Sequence, residues 1–290
     1  MYKERIIVSL TTYYKRIANI PEVLDTIFAQ TMPPDFVVLN LAIDEVIPHE
    51  VQKYIDAHPI EVNRVPDTKV YKKLIPTLKK YPNDCVISID DDFLYPSGMI
   101  EDFITTHHKY PNCPISGNRD VYKGFQCHCG CASLMKLSYL GKYVECIDKS
   151  VMECCPSDDI VYSFFVNMNG HSYVRTREMY FSNMESYNEG VGYTVMTCVG
   201  KGINDSYSYL VKRFGKLDVS IGNYFENEDL KVLIMGVEKS MHCLAKEEGQ
   251  LDVYSTLSYR IGHIILFPFK YMAKFFSKGN RNTKKDFLTD

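Results

Sequence analysis

The chain has 290 residues, a length that suits one large α/β domain or one domain with an appendage. Hydrophobic residues make up 46% of the sequence, enough to bury a core, and the net charge of −3 argues against nucleic-acid binding by overall electrostatics. Ten cysteines without an N-terminal export signal are typical of reduced thiols in the cytoplasm, and no uncharged apolar run is long enough to span a membrane.

Short apolar runs alternate with helical patterns through the first third of the chain. The apolar runs, rich in β-branched residues, predict strands at residues 6–10, 36–41, 60–65 and 85–89. The helical patterns predict helices at residues 20–30, 48–57, 74–81 and 97–110. Asn19 and Ser97 are the expected N-caps of the first and last of these helices. The alternation predicts a mostly parallel central sheet with helices on both faces, whose ligands bind at the carboxyl ends of the strands.

The rest of the chain is less regular and ends in a basic segment. The patterns predict a strand at 131–135 and helices at 157–168, 206–214 and 228–246. From Ser258 to the C-terminus there are seven Lys or Arg against two Asp or Glu. Residues 259–276 combine large apolar side chains with spaced cations, which favours a helix lying in a membrane interface. The alternative is a C-terminal helix that docks on the protein's own core.

Three consecutive acids, the aspartate triplet (Asp90, Asp91 and Asp92), follow the fourth predicted strand directly. Adjacent carboxylates are costly to place together unless a positive charge neutralises them. Hard oxygen ligands select a hard divalent cation such as Mg²⁺ or Mn²⁺, which can also contact the oxygens of a diphosphate. The competing interpretation is a solvated acidic turn that caps the next helix.

A second acid pair, Asp158 and Asp159, stands at the start of the helix predicted after Ser157. The helix dipole stabilises negative charge in this first turn, so the pair also fits a purely structural role. An ionised carboxylate at a fixed helix start would equally suit a general base that accepts a proton from a hydroxyl group.

Taken together, these segments resemble the GT-A nucleotide-diphospho-sugar transferases, and most closely bacterial polysaccharide glycosyltransferases similar to glycosyltransferase family 2. The resemblance covers roughly residues 5–170. The matching segments are residues 7–12 with Arg16, Gln30–Thr31, residues 71–76, the aspartate triplet with Tyr95–Pro96, and residues 155–160. Two departures stand out: the group often has Trp after the second acid pair, where this chain has Val161, and residues 127–131 replace its Gly-rich acceptor-side segment.

The resemblance implies a role for each matching side chain. The residues implied for donor binding are Thr11, Thr12, Asp67, Lys73, Asp90 and Asp91. Asp92, together with Asp90, is the implied ligand of Mn²⁺ or Mg²⁺. Asp159, or else Asp158, is the implied catalytic base of an inverting transfer.

The resemblance also implies substrates and a domain plan. A hexosyl or N-acetylhexosaminyl group would move from a nucleotide-diphosphate sugar, with a UDP-sugar favoured, to a glycan or lipid-linked acceptor. Residues 1–250 would form the GT-A domain, with a nucleotide-sugar-binding half at 1–110 and an acceptor half at 111–250. Residues 251–278 would form a basic helix on the inner face of the cell membrane, followed by a disordered tail at 279–290. A nucleotidyltransferase of related fold and a non-catalytic carbohydrate-binding protein are the alternatives.

A cluster of soft side chains lies in the middle of the chain. Its members are Cys127, His128, Cys129 and Cys131, with Cys154 and Cys155 downstream. Such side chains can bind zinc, but paired zinc cysteines more often have a two-residue gap. Packed thiols are therefore the favoured interpretation.

Overall fold

The structure is a computed structural model that describes residues 4–117, 119–122, 125–128, 132–176 and 193–217. All of these residues belong to one compact unit, Met1–Ser220. A second unit, Ile221–Asp290, lies outside the described residues. The helix predicted at 228–246, the basic helix at 251–278 and the tail at 279–290 fall in that second unit and remain predictions.

A seven-stranded sheet forms the centre of the described unit. Its strands stand in the order β3-β2-β1-β4-β8-β5-β9. They comprise β1 (Ile6–Thr11), β2 (Phe36–Ala42), β3 (Ile60–Val65), β4 (Cys85–Ile89), β5 (Ile115–Ser116), β8 (Ala132–Met135) and β9 (Val174–Arg175). A separate antiparallel pair is formed by β6 (Arg119–Tyr122) and β7 (Phe125–His128).

The sheet is mostly parallel, as the sequence predicted. Strands β1 to β4 run parallel to one another, and β5 runs parallel to β9. Strand β8 alone is reversed, because it pairs antiparallel with both β4 and β5. The four strands predicted in the first third of the chain are therefore confirmed, and their carboxyl ends lie at one edge of the sheet.

Eight α-helices are described around these strands. They are α1 (Ile20–Phe28), α2 (His49–Ala57), α3 (Ile75–Lys80), α4 (Met99–Lys109), α5 (Leu137–Leu140), α6 (Lys149–Cys154), α7 (Asp158–Met168) and α8 (Tyr193–Phe214). Short 3-10 helices occupy Ile17–Asn19, Lys69–Lys73 and Gly141–Cys146. Among the described helices, none is long and apolar enough to cross a membrane.

Side chains alternate between two apolar cores, one on each face of the sheet. Val8 and Ile87 point into a core shared with α1, α2 and α4. Val86 and Met135 point into a second core shared with α3, α5, α6, α7 and Leu210 of α8. Burial on both faces explains why these strands are continuous apolar runs.

Two helix starts differ from the sequence prediction. Helix α4 has Gly98 rather than Ser97 at its N-cap. The Ser97 carbonyl instead accepts a hydrogen bond from Thr31 N–H at 2.7 Å, which keeps Ser97 in the preceding turn. Asn19 does occupy the N-cap of α1, but its side chain makes no capping bond. Its backbone is already helical because a 3-10 helix leads directly into α1.

Helix α8 is longer than predicted, since it begins at Tyr193 instead of residue 206. Gly200 and Gly202 favour a loop on intrinsic propensity. A Cβ at Gly202 would lie 3.3 Å from Pro156 Cγ, so glycine allows the helix to pass close to the segment before α7. Tertiary packing therefore overrides local propensity here.

Candidate active site

The aspartate triplet follows β4 at the edge of the sheet where the parallel strands end. Tyr95 fixes its first member: the Tyr95 hydroxyl accepts from Asp90 N–H at 2.9 Å and donates to the Asp90 carbonyl at 3.1 Å. Gln30 holds the loop behind, donating to the Pro96 carbonyl at 2.7 Å and accepting from Ile100 N–H at 3.1 Å. The triplet is thus carried on a pinned loop.

Arg16 neutralises two members of the triplet. Its guanidinium lies 2.8 Å from Asp91 Oδ1 and 3.0 Å from Asp92 Oδ2. All three side chains are largely buried. Burial raises the pKa of Asp92 above its usual value, although Arg16 opposes that shift. Arg16 was singled out in the sequence only as part of a matching segment, and the structure shows that it contacts the triplet directly.

A buried polar network holds the main chain that carries Lys73. Ser9 Oγ on β1 donates to the Lys73 carbonyl at 2.6 Å and lies 2.7 Å from Thr77 Oγ1 on α3. Asn40 on β2 donates to Thr77 Oγ1 at 2.9 Å and to Ser9 Oγ at 3.1 Å. The 3-10 helix Lys69–Lys73 is therefore tied to two strands and a helix, and the direction of the Lys73 side chain is set by them.

Lys73 joins the two acidic segments. Its ammonium lies 3.0 Å from Asp90 Oδ1 and 3.0 Å from Asp158 Oδ2. Burial alone would lower the pKa of Lys73, but Asp158 and Asp90 outweigh it and raise that pKa well above the usual value. Burial raises the pKa of Asp90 to about 6, although Lys73 pulls it down. Lys73 thus stays charged, and it connects the triplet to the second acid pair.

Helix α7 presents the second acid pair in its first turn, as predicted. Ser157 occupies the N-cap, but its side chain makes no capping bond. Its N–H donates to Ser206 Oγ on α8 at 3.3 Å, and the Tyr71 hydroxyl donates to the nearby Cys155 carbonyl at 2.6 Å. These contacts attach the start of α7 to α8 and to the 3-10 helix that carries Lys73.

The two acids of the pair have different surroundings. Asp158 is buried against Lys73, whereas Asp159 keeps 30% of its side chain exposed. Asp159 Oδ1 lies 3.6 Å from Nε2 of His128, a buried residue at the end of β7. His128 Nδ1 lies 2.6 Å from Ser116 Oγ on β5, and its ring stacks on Tyr173. In the sequence, His128 stands out only as a member of the soft cluster within the acceptor-side segment 127–131, and its contact with Asp159 depends on the pairing of β6 with β7.

The remaining predicted donor residues are placed less centrally. Thr11 Oγ1 donates to the Asn40 carbonyl at 2.7 Å. Thr12 is buried, and its hydroxyl has no hydrogen-bond partner in the part of the chain that the structure describes. Asp67 is 59% exposed and pairs with Lys72, whose hydrogen bond lowers the Asp67 pKa. None of these three makes a described hydrogen bond or ion pair to the aspartate triplet.

Among the described acids at this edge of the sheet, no three have ligand atoms close enough together to form a metal-binding group. Within the described residues, one group of three His, Cys, Asp or Glu side chains has ligand atoms within 4.8 Å of one another, and it lies elsewhere. Arg16 and Lys73 occupy carboxylate oxygens of the triplet instead. The carboxylates still suit a hard cation, because their negative charges outnumber the positive charges beside them. Five carboxylates lie here with two cationic side chains, Arg16 and Lys73; the five belong to Asp90, Asp91, Asp92, Asp158 and Asp159.

The soft cluster is only partly described, since Cys129 and Cys131 lie outside the described residues. The Cys127 thiol is buried and donates to the His128 carbonyl at 3.0 Å. Cys155 is buried and Cys154 is exposed. Packed thiols describe Cys127 and Cys155, and the zinc interpretation of the cluster remains a prediction.

The sequence matches no family model and no curated protein. Among solved structures, the fold is similar to a mannosyltransferase from Pyrobaculum calidifontis in complex with GDP-Man and Mn²⁺, with 15% identity, a TM-score of 0.56, and alignment over 94% of this chain and 84% of that one. A 4-diphosphocytidyl-2C-methyl-D-erythritol synthase aligns with 11% identity and a TM-score of 0.45, over 67% of this chain and 99% of its own. S. aureus TarS in complex with UDP aligns with 12% identity and a TM-score of 0.43, over 61% and 59%.

At these identities the comparisons concern the fold, and the mannosyltransferase carries the argument. Its alignment extends over nearly the whole of this chain, with a TM-score above 0.5. The fold predicted from the resemblance is confirmed. The chain has the α/β fold of GT-A type, the fold of nucleotide-sugar transferases.

Proposed function

We propose that this protein is a metal-dependent, inverting glycosyltransferase that uses a nucleotide-diphosphate sugar. The observation that carries the proposal is the position of Lys73 between Asp90 and Asp158. It joins the acids after β4 to the acids at the start of α7, segments that are far apart in the sequence. A donor-binding group and a catalytic base must lie this close if one sugar carbon is to contact both.

The second acid pair supplies the base. Asp158 is buried in an ion pair with Lys73, which leaves little room for an acceptor hydroxyl to reach its carboxylate. Asp159 is partly exposed and contacts His128. We therefore assign Asp159 to deprotonate the acceptor hydroxyl, whose oxygen then attacks the sugar carbon as the nucleotide diphosphate leaves. Asp158 positions Lys73 and is the weaker candidate for the base.

A divalent cation, Mn²⁺ or Mg²⁺, fits the residues of the triplet. The carboxylates exceed the cationic side chains around them, so the site retains negative charge. Asp92, with Asp90, would hold the ion, which would stabilise the charge of the departing diphosphate. Arg16 and Lys73 are the side chains positioned to exchange carboxylate contacts for phosphate oxygens as donor binds.

The nucleoside would lie at the ends of β1 and β2. Thr11 and Thr12 follow β1, and the buried Thr12 hydroxyl offers hydrogen-bonding capacity that no described residue uses. Asp67 lies before the 3-10 helix with more than half of its side chain exposed. We assign it to contact the nucleoside of the donor. A UDP-sugar is the proposed donor, with a hexosyl or N-acetylhexosaminyl group transferred.

The acceptor is proposed to be a glycan or a lipid-linked saccharide. The resemblance to bacterial polysaccharide glycosyltransferases that are similar to glycosyltransferase family 2 supports a role in surface polysaccharide synthesis. A basic C-terminal helix at residues 251–278 would hold the enzyme on the inner face of the cell membrane, with the catalytic residues in the cytoplasm.

A donor screen tests the proposal. The full chain is incubated with a panel of UDP-, GDP-, dTDP- and CMP-sugars and Mn²⁺, and release of the free nucleotide is measured with and without EDTA. We expect one donor to be hydrolysed slowly and chelation to abolish the release. Asp92→Ala and Asp159→Asn should each lower turnover by at least about a hundredfold, whereas Asp56→Asn, on the exposed side of α2, should not.

Two further assays, one with nucleoside triphosphates and sugar phosphates and one of saccharide binding, separate the alternatives. A nucleotidyltransferase would release pyrophosphate from a nucleoside triphosphate and a sugar phosphate. A non-catalytic protein would bind saccharides without nucleotide release from any donor. Unchanged donor turnover in Asp92→Ala would refute the site assignment while leaving the class intact.

A further inference from the structure

A group of three metal-ligating side chains lies at the edge of the sheet opposite the aspartate triplet. Cys85 is the first residue of β4, Glu4 precedes β1, and His107 is in the last turn of α4. One ligand atom from each lies within 4.8 Å of the other two. Glu4 Oε2 and His107 Nε2 are 3.9 Å apart, close to the ~3.4 Å that two such atoms adopt around tetrahedral zinc.

His107 occupies a position where helical spacing calls for an apolar residue. Met99, Ile100, Phe103 and Ile104 form the buried stripe of α4, and His107 continues it. The His107 side chain is only 5% exposed. A polar group buried in this way requires partners on both ring nitrogens or a ligand on one of them.

Tyr139 determines which nitrogen carries the proton. The Tyr139 hydroxyl donates its proton to the Pro111 carbonyl at 3.0 Å. The same oxygen lies 3.2 Å from His107 Nδ1, so it accepts a hydrogen bond from Nδ1–H. The lone pair of neutral His107 is therefore on Nε2, which faces Glu4.

Glu4 divides its two oxygens between different partners. Oε1 pairs with the ammonium of Lys136, and Oε2 is directed toward His107. The Cys85 thiol also hydrogen-bonds to the Glu4 carboxylate, so an oxygen, a sulfur and the Nε2 lone pair converge on one point where a cation could contact all three. An orienting hydrogen bond on the remote nitrogen of a ligating histidine is the usual arrangement in metal sites.

We propose that Glu4, Cys85 and His107 form a zinc site. A carboxylate oxygen, a thiolate and an imidazole nitrogen are together typical ligands of Zn²⁺, and water would complete a tetrahedral set. Binding would replace the proton of the Cys85 thiol, which passes to solvent, by the metal ion. The ion would tie the segment before β1 to the end of α4. This inference does not depend on the proposed catalytic function.

Metal titration of the full chain tests the site. The protein is stripped with EDTA under reducing conditions, and Zn²⁺ binding is measured by equilibrium dialysis with elemental analysis. We expect one tightly bound Zn²⁺ per chain and a higher melting temperature on binding. Co²⁺ in its place should give a thiolate charge-transfer band.

Variants locate the ion. Cys85→Ser, His107→Gln and Glu4→Gln should each weaken Zn²⁺ binding by at least about tenfold, and Cys85→Ser should abolish the thiolate band. Tyr139→Phe should weaken binding by about tenfold while keeping that band, because it removes only the orienting hydrogen bond. Cys154→Ser and His108→Gln are the matched controls and should bind as the parent does.

Three results would overturn the inference. The first is no stoichiometric Zn²⁺ binding by the parent. The second is binding that survives both Cys85→Ser and His107→Gln. The third is binding lost only in Cys129→Ser, which would place the ion at residues 127–131. Circular dichroism of the metal-free variants confirms folding, and Glu4→Gln, at a partly exposed position, provides a readout even if a buried variant misfolds.

Discussion

Tyr95 holds Asp90 through both of its main-chain polar groups. The Tyr95 hydroxyl accepts from Asp90 N–H at 2.9 Å and donates to the Asp90 carbonyl at 3.1 Å. The main-chain N–H and carbonyl of the first residue after β4 are therefore both held by a single oxygen atom.

Removing the Tyr95 hydroxyl should destabilise the loop without leaving a cavity in the apolar core. Tyr95→Phe keeps the ring but leaves two main-chain groups of Asp90 without this partner, so we expect the free energy of unfolding to fall by about 1–2 kcal/mol. Urea denaturation measures it. Tyr14→Phe, whose side chain is 70% exposed, should change stability little. Equal losses of unfolding free energy in Tyr95→Phe and Tyr14→Phe would show that the two hydrogen bonds of the Tyr95 hydroxyl add no stability.

The ion pairs of Lys73 should be strongly coupled. Lys73→Met leaves Asp90 and Asp158 without their shared cation, and we expect a loss of about 3–5 kcal/mol in the free energy of unfolding. Asp158→Asn should cost less, because Lys73 retains Asp90. In a double-mutant cycle the combined loss should be smaller than the sum of the two. Additive losses would mean that Lys73 and Asp158 do not interact.

His128 should act on turnover more than on donor affinity, given the proposed function. His128→Gln removes the ring that contacts Asp159 and Ser116. We expect kcat to fall about tenfold or more, with the KM for the donor nearly unchanged, because Asp159 faces the acceptor in the proposal. Steady-state kinetics with saturating acceptor measures both. A rise in KM alone would assign His128 to donor binding instead.

The contact between Asp148 and Arg213 should be lost in acid. Asp148 caps α6, and the Arg213 guanidinium on α8 lies 2.5 Å from its carboxylate. The hydrogen bond from Arg213 lowers the Asp148 pKa to about 2. A lowered pKa in the folded state means that the stabilisation is present above the unfolded pKa, near 4, and disappears as the pH falls toward 2.

The comparison with Asp148→Asn isolates this contribution. Because the pair is exposed and screened by solvent, we expect the parent to be only slightly more stable than the variant at pH 7. The difference should be unchanged at pH 5 and shrink steadily between pH 4 and pH 2. Urea unfolding at each pH measures it, and a difference that stays constant down to pH 2 would contradict the assigned ion pair.

The sequence predicts the central strands well for a physical reason. Strands β1 to β4 are buried on both faces, so each is a continuous apolar run. Strands β5 and β9 have two residues each, too few to produce any pattern. The extent of α8 was also missed, because Gly202 is favoured by a contact with Pro156 that local propensity cannot reveal.

The acids of the candidate site are visible in the sequence, but their contacts with Arg16 and Lys73 are not. A carboxylate after an apolar strand is visible as a pattern, and so is one at a helix start. Arg16 and Lys73 follow no such pattern, since their directions are set by a 3-10 turn and by the buried network around Ser9. His128 reaches Asp159 through a hairpin whose two strands are only four residues long.

The network of Ser9, Asn40 and Thr77 also has a consequence for strand alignment. In a sheet, a slip of one residue turns every side chain to the opposite face. If β2 slipped against β1, Asn40 would enter the apolar core next to α1, and the hydroxyls of Ser9 and Thr77 would lose a partner. Such a misalignment exposes buried polar groups to an apolar surrounding and is therefore strongly disfavoured. These three small polar side chains thus fix the alignment of β1 with β2, two strands whose apolar residues alone would allow more than one register.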